Sequence, residues 1–148
     1  LTGGAGADKF VLSSLVGSDT ITDFASGIEK LRISQSGVRV GDGDQLVENA
    51  VRVTGPGGFS TAAELVIVAD NVAGALSADH ASASIGSAKS AYALGARALF
   101  AVDNGFSSAV FLFTAANTDA VVAASELKLL ATLNGAAALG TGDFIFGA

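Results

Sequence analysis

The chain has no cysteine, no methionine and no tryptophan, and only one proline and one histidine among its 148 residues. Each absence removes a class of chemistry. Without cysteine there is no disulfide staple, no thiolate nucleophile and no thiolate-ligated zinc. A single histidine cannot supply the two or three imidazoles of a typical zinc hydrolase, and no G-x-S-x-G elbow offers an activated serine. His80, near the start of an Ala/Ser-rich stretch, reads as a surface or capping residue. Cations are scarce as well. Eight Lys and Arg against fourteen Asp and Glu give a net charge of −6, which argues against nucleic acid as a partner and suits divalent cations. Glu64, Asp70 and Glu126 supply carboxylates, but with no Trp and one Tyr there is little to stack on a sugar ring. No catalytic constellation is legible, so the expectation is a non-enzymatic chain. No apolar run approaches the roughly 18 residues that span a bilayer, and no charged and then apolar leader opens the sequence. A start at Leu1, with no methionine anywhere, reads as a piece of a longer protein.

What is present is glycine, alanine and short β-like runs. Lys9 to Leu12, Asp19 to Phe24 and Lys30 to Ser34 alternate polar and apolar residues between close turns, which favours a coil or roll over a sandwich. An acidic turn, Gly41-Asp42-Gly43-Asp44, lacks the bidentate Glu of an EF-hand loop and reads as a plain turn. Strands are expected over Leu46 to Val53 and Leu65 to Ala69. Ser77 can cap a helix running to about Ala93, with Asp79 in its first turn, Ile85, Ala88 and Tyr92 on one face, and Gly95 as its stop. Asp103-Asn104-Gly105 joins Arg97–Val102 to Ser107–Thr114 as a hairpin, because Asn-Gly adopts the positive φ angles that a tight turn needs. The AVFLF run of its second arm is apolar on both faces, as a central strand covered on both sides would be. A short helix is expected over Ser125 to Leu133, led by Glu126 and ended by Asn134-Gly135, and a last strand over DFIFGA.

The opening stretch Gly3-Gly4-Ala5-Gly6-Ala7-Asp8-Lys9-Phe10-Val11 fits the nine-residue unit G-G-x-G-x-D-x-U-x, with U a large apolar residue. Glycines reach backbone angles that turn carbonyl oxygens inward, the Asp adds a hard anionic oxygen, and Phe10 points into a narrow core. No second full copy follows. Asp19 and Asp23 in the next strand are four apart and so expected on one side of it.

GGAGADKFVLSS followed by DTITDFASGIEKLRIS resembles the carboxy-terminal end of RTX (hemolysin-type calcium-binding) proteins exported by type I secretion, among them serralysin-type proteases, several lipases and many bacterial surface-layer proteins. A looser resemblance covers Tyr92 to Ala148, whereas Gly37 to about Ala75 aligns with nothing. The resemblance implies Ca2+ held by the carbonyls of Gly4 and Gly6 and the carboxylate of Asp8, with further contacts from Asp19 and Asp23. It also implies a terminal export motif in Asp143, Phe144, Ile145 and Phe146, the type I secretion machinery as partner, and a secreted or cell-surface location. The expected fold is mainly β with one or two short helices. Residues 1–36 would be the last turns of a calcium-binding parallel β-roll, and 37–148 a β-rich closing and export module continuous with it. Self-association as a surface-layer or adhesin module is the alternative.

Overall fold

The computed structural model describes all residues, 1–148, and is a mixed β structure with one short α-helix. Nine strands form two sheets: β1 (Lys9–Leu12), β2 (Asp19–Ile21), β3 (Lys30–Ser34), β4 (Val51–Val53), β5 (Leu65–Val68), β6 (Arg97–Asp103), β7 (Ser108–Thr114), β8 (Leu127–Leu133) and β9 (Phe144–Gly147). The smaller sheet has the order β1-β3-β9, all parallel; the larger has the order β2-β8-β7-β6-β5-β4. No helix is long and apolar enough to cross a membrane.

The path of the chain is informative. It alternates between sheets from β1 to β2 to β3, and Lys9 lies against Lys30 in parallel register. After β3 it leaves for the excursion that contains β4 to β7. It then returns so that β8 lies parallel to β2 (Asp19 against Ala131) and β9 parallel to β3 (Leu31 against Phe144). The last two strands therefore continue the winding that the first three begin. Residues 1–36 share both sheets with the end of the chain.

The larger sheet is covered on both faces. Leu65, Ile67, Leu99, Ala101, Val110 and Leu112 face the smaller sheet, where they meet Phe10, Leu12, Leu31, Ile33, Phe144 and Phe146. Val66, Val68, Phe100, Phe111 and Phe113 face the other way, onto Ala81 and Ile85 of the helix and onto Phe59 and Tyr92. Strands buried on both sides read as continuous apolar runs, which is why LVIV and AVFLF lack alternation. In β8 a bulge opposite Val110/Phe111 leaves Leu130 as the extra residue. Leu127 and Leu129 point to the helical side, while Leu130, Ala131 and Leu133 join the other core.

Several expectations need correction. Ser125–Leu133 is not a helix: a single 3-10 turn, Ala124–Glu126, leads into β8. The competing signal was strong, since pairing with both β7 and β2 rewards Leu127–Leu133 as a strand and overrides its helix propensity. The helix begins where Ser77 caps it, with Ser77 Oγ accepting from His80 N, but it covers only Ala78–Ile85 and stops at Gly86, well short of Ala93. Ala88 and Tyr92 are buried all the same, carried on an irregular segment. The strand expected over Leu46–Val53 is formed only at Val51–Val53, and β2 ends at Ile21 instead of Phe24.

Stacked turns impose their own steric demand at Gly37. A Cβ there would lie 1.9 Å from the backbone oxygen of Ser13, so the turns after β1 and β3 pack at glycine distance. Gly37→Ala is expected to cost roughly 1–3 kcal/mol, because the obstacle is backbone and cannot rotate away. A urea midpoint unchanged from the parent protein would contradict that packing.

Candidate metal centre

Two acidic constellations bear on metal binding, one at the opening loop and one beside β5. At the opening loop Gly4 and Gly6 have φ of +90° and +122°, conformations that favour glycine. The loop is tied to the bend after β2. Asp23 accepts the N–H groups of Gly3 (2.9 Å) and Gly4 (2.8 Å), one on each carboxylate oxygen. These two bonds, Gly4 first, hold the Asp23 carboxyl below its ordinary pKa. The tether is therefore complete above the ordinary carboxylate range and weakens as acid protonates Asp23.

Asp8 presents the opposite case. Its Oδ2 is shut off from solvent and has no hydrogen-bond partner, although the residue as a whole is only half-buried. Gly3 lies directly over it: a Cβ at Gly3 would come within 2.6 Å of Oδ2. The Asp8 carbonyl is used differently, accepting from Lys30 N at 2.9 Å. Asp19 is exposed at the start of β2. Because Asp23 lies beyond that strand, in a bend, the period-two argument for placing the two carboxylates on one side does not apply to them. Asp8, Asp19 and Asp23 do not form a set whose carboxylate oxygens all lie within 4.8 Å of one another.

A set that does converge is Asp42, Glu48 and Glu64, each offering an oxygen within 4.8 Å of the others. Glu64 immediately precedes β5 and is 6% exposed. Its Oε1 accepts from Asp42 N (3.3 Å) and its Oε2 from Glu48 N (2.9 Å), which folds the acidic loop over it. Gly41, at φ +57°, makes room, since a Cβ there would lie 1.5 Å from Glu64 Oε1. Burial raises the Glu64 pKa; the two N–H bonds oppose the rise, and the charges of Glu48 and Asp42 add to it. A carboxylate with a raised folded pKa stabilises most below its unfolded pKa and loses that contribution as pH climbs through the folded value. A cation among the three carboxylates would reverse the penalty. These three residues can coordinate a metal ion.

Sequence reasoning read Gly41–Asp44 as a plain turn and missed Glu64 as its anchor. The available signal was a lone carboxylate set directly against an all-apolar strand, where an unpaired charge is too costly to keep.

Other carboxylates act as backbone clamps. Asp143 is 2% exposed. Its Oδ2 accepts from Ser26 Oγ (2.6 Å) and Gly140 N (2.8 Å), and its Oδ1 from Gly27 N (2.8 Å). Phe144 and Phe146 are core residues and Ile145 is half-buried. Glu126, expected as the acid of a last helix, instead accepts from Ala123 N (3.0 Å) and Ala116 N (2.7 Å). His80 makes a 2.8 Å ring bond to the Ala75 carbonyl. No family model, curated protein or solved structure matches this chain.

Proposed function

We propose that this chain is a calcium-binding, non-catalytic carboxy-terminal domain of a larger RTX-type protein, exported by a type I system and set into its final fold by extracellular Ca2+. The single observation that carries the reading is the stranded Oδ2 of Asp8, beneath Gly3 in a loop of the G-G-x-G-x-D form. A buried anionic oxygen without a donor is costly, and a hard cation is the partner its chemistry calls for. The alternation of β1, β2 and β3 between two sheets, continued by β8 and β9, supports the parallel-roll component.

In this reading Asp8 with the carbonyls of Gly4 and Gly6 holds one ion, and Asp42, Glu48 and Glu64 hold another. Asp23 works from behind, fixing the opening loop through its amides. Asp19 stays exposed for an ion shared with a neighbouring turn. Ca2+ supplies the positive charge that lets these carboxylates sit together. At low calcium their repulsion keeps the acidic loops open, and outside the cell binding free energy becomes folding free energy. An export signal in Asp143–Phe146 would be read before folding, because the fold buries Asp143, Phe144 and Phe146.

Extracellular calcium modules bind in the range of about 0.1–1 mM. At a hundredfold excess over Kd the expected gain is about 2.7 kcal/mol, a rise of roughly 5–10 °C in melting temperature for a domain of this size. Asp8→Asn should remove part of that rise while leaving the calcium-free protein no less stable, since it discharges the stranded oxygen. Differential scanning calorimetry with and without calcium reads both. An unchanged melting temperature in the parent protein would remove the proposal's basis.

A further inference from the structure

A cleft of about 340 Å³ lies between the segment after β3 and the start of β6, lined by Arg39, Gly41, Gly95 and Arg97. Its composition is unusual for a chain so poor in cations. No hydrophobic side chain lines it, and two of the eight Lys and Arg residues face it. The volume lies at the low end of the roughly 300–1,000 Å³ of small-molecule sites, whose walls are ordinarily apolar. An apolar ligand finds nothing to bury against here.

The walls are rigid where they need to be. Gly41 N donates to the Arg97 carbonyl (3.1 Å) and Gly95 N to the Ala115 carbonyl (2.8 Å), which locks the cleft floor to the larger sheet. Neither amide is thereby free to bind a ligand, so the donors must come from the side chains. Arg39 donates through Nη2 to the Asp42 carbonyl at 3.0 Å, which steadies its guanidinium and leaves its other N–H groups available. Arg97 is half-buried at the first position of β6. Gly95 keeps its side of the cleft open: a Cβ there would meet nothing within 4 Å.

We propose that this cleft is a binding site for a small oxyanion of the phosphate or sulfate class, held between the Arg39 and Arg97 guanidiniums. Planar guanidinium forks match the oxygen spacing of such anions and give paired, charge-assisted hydrogen bonds. Two guanidinium-bearing residues lining one cleft provide the charge to offset a compact dianion, and the absence of hydrophobic side chains disfavours apolar ligands. The site requires no metal ion of its own, although Asp42, Glu48 and Glu64 lie just across Gly41. Their charge weakens the anion site when they are bare.

The test is titration of the whole protein with inorganic phosphate in metal-free buffer, followed by phosphorus NMR and by calorimetry, with sulfate as competitor. Saturable binding that sulfate displaces is expected. Arg97→Gln and Arg39→Gln should each weaken it about tenfold or more, equivalent to about 1.4 kcal/mol. Lys89→Gln, on an exposed position away from the cleft, should leave it unchanged. Arg97→Lys keeps the charge and loses the fork, so an intermediate loss is expected; circular dichroism of each variant separates loss of the site from loss of the fold. No saturable binding to the parent protein overturns the proposal, as does equal weakening by the Lys89 and Arg97 variants.

Discussion

Replacing Asp143 by alanine is expected to destabilise the protein by about 3–5 kcal/mol, a fall in melting temperature on the order of 10 °C. The carboxylate joins three donors from two separate segments: Ser26 Oγ and Gly27 N from the turn before β3, and Gly140 N from the turn before β9. Hydrogen bonds to a charged acceptor contribute about 1.5–3 kcal/mol each, and their loss leaves donors stranded at a site only 2% exposed. The sum is not additive, which sets the estimate below three full bonds. Asp143→Asn should fall between, because one amide oxygen remains while the NH2 group faces the Gly140 N–H. Urea unfolding of the three proteins reads the series. A cost under about 1 kcal/mol for the alanine variant would mean that the clamp does not hold β3 and β9 together.

Phe100→Ala carries the second large effect, about 3–5 kcal/mol. Phe100 is fully buried in β6, on the helical side of the larger sheet. It sits edge-on to Phe59 (centroids 5.3 Å, 70°) and to Phe113 (5.8 Å, 88°), and Phe113 in turn meets Tyr92 at 4.6 Å. Its removal leaves a cavity and breaks two aromatic pairs worth about 0.5–1.5 kcal/mol apiece beyond area burial. Phe106, 79% exposed at the tip of the β6–β7 hairpin, provides the contrast, and its alanine variant should shift stability by no more than about 0.5 kcal/mol. Similar costs at Phe100 and Phe106 would contradict the packing described. The double variant Phe59→Ala/Phe100→Ala should cost less than the two singles together, because both cavities are one space.

These residues also mark what was legible in the sequence. The β6–β7 hairpin was readable because Asn104-Gly105 and the flanking apolar runs agree at every level, and β1, β3 and β9 were readable from local alternation and turns. Leu127–Leu133 was not. Its residues favour a helix locally, and only the long-range pairing with β2 and β7 makes it a strand. The helix before it was over-extended for a related reason: Ala88 and Tyr92 sit at helical spacing and are buried, yet Gly86 ends the helix and an irregular segment carries them inward. At the candidate site, the opening motif singled out Asp8, and the fold sets Gly3 directly over its carboxylate, a contact the nine-residue unit does not itself specify. The convergence of Asp42, Glu48 and Glu64 depends on where β5 lies, information that no local window contains.

The return of β8 to β2 and of β9 to β3 sets a constraint on the order of events during synthesis. Until residues 144–147 have been made, β3 has one bare edge and Phe10, Leu31 and Ile33 lack the aromatic side chains that cover them. High contact order of this kind slows folding, since the loop-closure cost precedes the reward. A nascent chain would hold its first winding incomplete until residues 144–147 are added, and proteolysis of stalled nascent chains should find residues 1–34 cleavable up to that point.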